Sequence, residues 1–171
     1  MLDLLRDPAY YGAGVNVLSL RRVSFGATSA TVTSMGLIIG LGAVAAEKAT
    51  ILSGLLIVAL ADNLTDSLSL HVYQEAERLN GRAAFRATLT NFGARVLTAL
   101  TFVVIVLVLP SPYAGTVALG WGVLLLATLS YLVASARGVR PWPEVGKHLG
   151  LAALVIAASR VIGAGIAHQV R

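Results

Sequence analysis

The chain has 171 residues, of which 57% are hydrophobic and 12% charged, with a formal net charge of +5 and a mean hydropathy of +0.81. Soluble domains carry about 45–50% apolar and about 25% charged residues, so this composition excludes a soluble globular domain. Because the chain has no cysteine, it forms neither a disulfide nor a thiolate metal site.

Five apolar stretches follow one another along the chain, separated by charged residues, proline or glycine. A helix that crosses a bilayer takes about 20 apolar residues, and the predicted spans cover residues 24–46, 49–72, 87–109, 114–135 and 148–169. The first 22 residues are too long and too polar for the n-region of a cleaved signal. We therefore predict an all-α integral membrane protein, with residues 1–171 forming a single domain.

Lysine and arginine are distributed unevenly between the two sides of the predicted bundle. Nine of the thirteen precede the first span or lie in the second–third and fourth–fifth connections: Arg6, Arg21, Arg22, Arg78, Arg82, Arg86, Arg137, Arg140 and Lys147. The positive-inside rule then places the amino terminus in the cytoplasm and the carboxyl terminus on the opposite side. This distribution explains the net charge without a nucleic-acid partner. Compact loops and the absence of organellar signals favour a prokaryotic plasma membrane.

Four charged residues fall inside predicted spans: Asp62, Asp66, Arg95 and Arg160. An ionisable group near the bilayer centre costs at least about 2.5–3.5 kcal/mol, so such residues suggest a functional site. Asp62 and Asp66 are four residues apart and share one helix face, about 6 Å apart along the axis. Two ionised aspartates there require a bound cation, a shared proton or basic partners.

Two interpretations of these charges remain open. In the first, Asp62 and Asp66 bind a divalent cation and exchange it for protons, since carboxylate oxygens suit hard ions. In the second, the arginines form structural ion pairs, because a rise of about 1.5 Å per residue places Arg95 level with Asp66 and Arg160 near the level of Asp62. A combination is also possible, in which both arginines are internal counter-ions that release the carboxylates when the site is loaded.

A second polar group lies at the cytoplasmic end of the second predicted span. His71 and Glu75 are four residues apart and form either an entry site for a cation or simply a helix end that faces water. The chain contains no Walker, GxSxG, HExxH or GxGxxG motif, so we expect neither an enzyme nor a permanently bound cofactor.

The first two predicted spans are similar to those of the vacuolar iron transporter family. The similarity lies in GATSATVTSMGL, from Gly26 to Leu37, and in ALADNLTDSLSL, from Ala59 to Leu70, and weaker similarity extends over most of the chain. The resemblance implies five helices per subunit, a homodimer with its site between subunits, and exchange of ferrous iron or manganese for protons.

By this resemblance, Asp62 corresponds to the family's membrane methionine ligand, Asp66 to its membrane glutamate and Ser29 to its first-helix aspartate. The change implies a harder oxygen site, less selective for ferrous iron than is usual in the family. We expect the side-chain oxygens of Ser29, Thr33 and Asn91 to complete the shell. The family's long cytoplasmic metal-binding extension is missing, because about fifteen residues separate the second and third spans.

The prediction is therefore a homodimeric transporter that exports divalent metal of the Fe²⁺ and Mn²⁺ class from the cytoplasm in exchange for protons. Two alternatives stay open: a non-transporting membrane protein held together by Asp–Arg salt bridges, and a transporter of another solute such as an anion or an organic cation.

Overall fold

The structure, a computed structural model, describes the backbone of residues 8–76 and 81–169. The described residues form helices and contain no strand. The elements in chain order are α1 (Pro8–Ala43), α2 (Lys48–Ile57), a π-helical turn (Val58–Asp62), α3 (Asn63–Ala76), α4 (Gly81–Val108), α5 (Ser111–Ala136) and α6 (Pro141–Gln169).

Among the described residues, five helical stretches are long and apolar enough to cross a membrane, which confirms the predicted number. They are Val23–Ala43, Lys48–Tyr73, Ala84–Val108, Ser111–Ala136 and Pro141–Gln169. The second stretch is not one regular helix, since α2, the π-helical turn and most of α3 follow one another within it.

The helices begin earlier than the predicted spans, and proline stands in the first turn of several of them. The sequence places Pro141 in a connection that precedes a helix at 148–169, whereas α6 begins at Pro141 itself. Likewise, α5 begins at Ser111 and holds Pro112 in its first turn. Proline is tolerated there because the first N–H groups of a helix have no intrahelical acceptor. Toward the amino terminus, α1 begins at Pro8 and is continuous with the first span.

The core is built around α1, which packs against α4, α5 and α6. Met35 on α1 is 1% exposed and fills the space left by Gly122 on α5, while Phe102 on α4 is fully buried. Gly163 on α6 lies against the backbone of Gly40 on α1, so these two helices approach closely. The α1 helix is therefore the central element of the bundle.

The second stretch lies at the edge of this bundle. Its α3 segment packs against α4, and it presents a row of exposed leucines, Leu60, Leu64 and Leu68, each 60% exposed or more. The face that carries the two aspartates therefore has an open side.

Candidate cation site

Arg95 on α4 lies at the centre of the site. Its side chain is 1% exposed, and its Nη2 atom forms an ion pair with Asp66 Oδ2 and lies 3.5 Å from Asp62 Oδ2. Two carboxylates thus share one guanidinium group, which neutralises one negative charge and leaves the other. The described residues at this point carry a formal charge of −1 when both carboxyl groups are ionised.

Asn63 connects this guanidinium to the backbone of the second stretch. Its side chain is buried, and its Oδ1 atom accepts a hydrogen bond of 2.8 Å from Arg95 Nε. Its Nδ2 atom donates a bond of 3.0 Å to the carbonyl oxygen of Ala59. Asn63 therefore fixes Arg95 on one side and a helix carbonyl on the other.

The π-helical turn explains why Asn63 faces inward. The backbone N–H of Asn63 donates to the carbonyl oxygens of Val58 and Leu60, while the carbonyl of Ala59, four residues back, receives the side-chain amide. A π turn contains one residue more than an α turn, and such turns occur frequently at functional sites. Here the extra residue changes which side chains of the second stretch point at α4.

The effect of the extra residue can be seen in the buried positions Leu55, Ala59, Asn63 and Ser67, which are four residues apart. An ideal α-helix turns by about 100° per residue, so three steps of four residues drift by about 120°. The extra residue of the π turn cancels about 100° of this rotation. All four side chains therefore stay on the face that packs against α4, and Asp62 and Asp66 flank it.

Asn91 on α4 extends the polar network by one turn. Its Nδ2 atom donates to Ser67 Oγ at 3.3 Å, and its Oδ1 atom is buried without a hydrogen-bond partner. Gly26 of α1 packs directly over this place, since a Cβ there would lie 2.7 Å from the Asn91 carbonyl oxygen and 3.0 Å from Arg95 Cγ. A glycine at position 26 is therefore what allows α1 to approach the site.

The two carboxylates differ from Arg95 in their exposure. The side chains of Asp62 and Asp66 are each 48% exposed, whereas Arg95 and Asn63 behind them are buried. A buried guanidinium thus holds two carboxylates at the open surface of the bundle.

Ser29 and Thr33, the predicted hydroxyl ligands on α1, lie elsewhere within the subunit. Ser29 lines a cavity on the side of α5 and α6, together with Ser130 and His148, whose side chains are hydrogen-bonded at 2.8 Å. Thr33 lines a groove between α1 and α6. Of the predicted metal ligands, the structure brings together Asp62 and Asp66 at Arg95. Asn91 lies one turn from Arg95 on α4 and bonds to Ser67 rather than to either carboxylate.

Arg160 also lies apart from the aspartates. It lines a cavity formed by α1, α5 and α6, and no ion pair joins it to a carboxylate among the described residues. The counter-ion expected of it at Asp62 is supplied instead by Arg95. The physical reason is that α6 packs against α1 and α5, whereas the stretch that carries Asp62 packs against α4.

His71 and Glu75 lie on α3, toward its carboxyl end. The imidazole Nε2 atom is 3.4 Å from Glu75 Oε1, and Nδ1 is 3.3 Å from Thr88 Oγ1 on α4. Phe85 makes an edge contact with the same ring. Both ring nitrogens of His71 therefore have partners, and this pair is separate from the Arg95 cluster.

Sequence reasoning missed Asn63 and Ser67. The spacing of four residues that they share with Leu55 and Ala59 is a weak signal, because these four positions drift by about 120° on an ideal α-helix and stay on one face only with the π turn. Within residues 8–76 and 81–169, no group of three or more histidine, aspartate or glutamate side chains is placed to hold a metal ion. The described part of the chain thus offers two carboxylates at this place and no third acidic or imidazole ligand.

Comparisons of the chain with family models, curated proteins and solved structures found no significant match.

Proposed function

We propose that the protein is an integral membrane transporter that exports a divalent cation in exchange for protons, with Asp62 and Asp66 as the groups that bind the cation and the protons alternately. The observation that carries this proposal is the sharing of one buried guanidinium by two half-exposed carboxylates. The resemblance of the first two spans to the vacuolar iron transporter family supports the same function and favours Fe²⁺ or Mn²⁺ as the transported ion.

The charge of the cluster supports cation binding. With both carboxyl groups ionised, Arg95 leaves one negative charge uncompensated, and in a bilayer this charge has to be matched by a proton or a cation. When a divalent cation arrives, it competes with the guanidinium for the same oxygen atoms. Arg95 then acts as an internal counter-ion that holds the carboxylates while the site is empty.

A second copy of the chain would complete the site. The two carboxylates supply only part of the shell of a hard divalent cation, which takes six or more oxygen ligands including water, and the half-exposed aspartates are costly when they face lipid. A homodimer in which the aspartate-bearing faces meet would bring four carboxylates together and remove them from lipid. We therefore place the transport site between two subunits, with the amino terminus in the cytoplasm of a prokaryotic plasma membrane.

A structural role is the second candidate, and the contacts of Arg95 favour it. A buried charge that loses its partners is strongly destabilising, by about 3–5 kcal/mol, so the Asp–Arg cluster can hold α3 on α4 without any transport. The two candidates differ in what neutral substitution of the aspartates does to a folded protein.

The deciding experiment measures flux of Fe²⁺, Mn²⁺, Co²⁺ and Zn²⁺ into proteoliposomes under an imposed pH gradient. The variants are Asp62→Asn, Asp66→Asn and the double variant, and Glu144→Gln is the control, since Glu144 is an acidic residue at the start of α6 that pairs with Lys147 at 2.7 Å. The proposal expects metal-dependent proton exchange that the double variant loses and the control keeps. Absence of flux for every metal, from a wild-type protein shown to be folded, would overturn it in favour of the structural role.

A further inference from the structure

A second polar cavity lies at the end of the bundle where α1 ends and α5 begins. It has a volume of about 560 Å³, is lined by residues of α1, α5 and α6, and opens to the surface. Its polar lining comes from Arg160, Ser111 and Thr116, and its apolar lining includes Ile38 and Leu119. The cavity shares no residue with the Arg95 cluster.

The guanidinium of Arg160 has no carboxylate partner in the described part of the chain. No ion pair within 4.0 Å involves it, and no acidic side chain lines the cavity. Arg160 is nevertheless nine residues inside the last apolar stretch, about 14 Å from its end along the helix axis. A cation within an apolar helix of this kind, with an exposed side chain, requires an anion or water as its partner.

A second positive charge, that of Lys48, lies in an adjoining cavity. This adjoining cavity of about 380 Å³ shares Ile38, Gly42 and Ser111 with the first and is lined by Lys48. The Lys48 ammonium donates hydrogen bonds to the carbonyl oxygens of Leu107 and Leu109 at 2.7 and 3.1 Å. Glu47, its neighbour in sequence, is exposed and lines neither cavity.

We propose that this cavity binds an oxyanion of the phosphate class through Arg160, with the hydroxyl groups of Ser111 and Thr116 as further donors. A guanidinium offers a planar fork of donors that matches two oxygen atoms of a phosphate group. Hydroxyl groups complete the shell of a tetrahedral oxyanion because each can donate one hydrogen bond. The two sources of this chemistry are the phosphodiester of a lipid headgroup at the membrane surface and free inorganic phosphate.

This site is independent of the proposed transport function. Binding at Arg160 requires neither Asp62 nor Asp66, so it is measured on protein that need not transport. A phosphate-class ligand here would fix α6 to the first turn of α5 at one end of the bundle, and its binding would appear as stabilisation of the folded protein.

The experiment compares ligand-induced shifts in thermal unfolding of the full chain, purified in detergent. The probes are phosphatidylglycerol, diacylglycerol, which lacks the phosphate, and inorganic phosphate against chloride at equal ionic strength. The variants are Arg160→Gln and Arg160→Lys, with Arg137→Gln as the matched control, because Arg137 is exposed and lies beyond the other end of α5.

We expect phosphatidylglycerol to stabilise the wild type more than diacylglycerol does. The affinity for the phosphate probe should be about tenfold or more weaker in Arg160→Gln. Arg160→Lys should keep part of this affinity, and Arg137→Gln should keep all of it. A response to phosphatidylglycerol alone assigns the site to lipid headgroups, and a response to inorganic phosphate as well assigns it to a free oxyanion. Equal responses of wild type and Arg160→Gln, or no preference of the wild type for either phosphate probe, would overturn the proposal.

A second variant tests the same site in case Arg160→Gln does not fold. The double variant Ser111→Ala/Thr116→Val keeps the charge and removes two donors, so we expect a several-fold loss of phosphate affinity. The variant Asp62→Asn/Asp66→Asn should bind the phosphate probes as the wild type does, which separates failure of this site from failure of the transport site.

Discussion

Arg95 Nε donates a 2.8 Å hydrogen bond to Asn63 Oδ1, and this bond joins the buried cation of α4 to the irregular turn of the second span. Asn63 also donates to the carbonyl of Ala59, beside the place where the π-helical turn departs from α-helical bonding. The position of the guanidinium between two carboxylates therefore depends on a backbone feature of the neighbouring helix.

Replacing Asn63 by leucine should destabilise the protein by about 2 kcal/mol or more. The change removes the acceptor of a buried guanidinium N–H and the donor to Ala59, and a buried polar group left without a partner costs about 1–3 kcal/mol. The measurement is thermal or denaturant unfolding of the purified protein. Thr65→Val is the control, because the Thr65 hydroxyl donates to Ala61 at an exposed position. Equal stability of Asn63→Leu and wild type would show that the bond to Arg95 contributes nothing.

Replacing Arg95 by leucine should destabilise the protein by about 1–3 kcal/mol, because the buried Asn63 Oδ1 atom loses its donor and the half-exposed Asp62 and Asp66 lose their shared counter-ion. The double variant Arg95→Leu/Asp66→Asn should recover a large part of this loss, since it removes the carboxylate that forms the closest pair. A double-mutant cycle on unfolding free energies measures the coupling. Additive effects of the two substitutions would mean that the pair is not coupled in the folded protein.

Gly26→Ala should separate α1 from α4 and destabilise the bundle. The added Cβ would lie 2.7 Å from the Asn91 carbonyl oxygen and 2.8 Å from Asn91 Oδ1, and an overpacked contact of this kind costs about 1–3 kcal/mol. Gly93→Ala on α4 is the matched control, since a Cβ there meets no atom within 4 Å and alanine favours a helix over glycine. The prediction requires the two alanine variants to shift the unfolding midpoint in opposite directions, or Gly93→Ala to leave it unchanged.

The relation between sequence and structure is instructive at Arg95 and Arg160. The sequence predicts the level of each arginine along its helix from a constant rise per residue, and this level is the only basis for pairing it with an aspartate. Arg95 reaches Asp66 because α4 packs against α3. Arg160 has a depth near that of Asp62 but lies on α6, across the bundle, and the sequence holds no measure of which helices are neighbours.

The π-helical turn could not be predicted from the sequence for a different reason. Residues Val58–Asp62 read as an ordinary apolar helix that ends in one aspartate. The turn accompanies a contact between helices, the hydrogen bond from Arg95 to Asn63, which the local sequence does not show. Composition and periodicity sufficed for the five apolar helices, because these depend on local hydropathy, but the geometry of the site depends on contacts between helices.

The proposed homodimer can be tested by cysteine cross-linking, because the chain has no cysteine of its own that would react. If the aspartate-bearing faces of two subunits meet, Leu64, which is 61% exposed beside Asp62 and Asp66, approaches its copy in the other subunit. A Leu64→Cys variant should then form a disulfide-linked dimer in membranes under mild oxidation, since the bond requires Cα atoms within about 7 Å. Leu154→Cys on α6 is the control, because Leu154 is 67% exposed on a different helix that packs away from the aspartates. Cross-linking through Leu154→Cys and not through Leu64→Cys would place the subunit interface on α6. Asp62 and Asp66 would then lack the two aspartates of the other subunit that the proposed transport site requires.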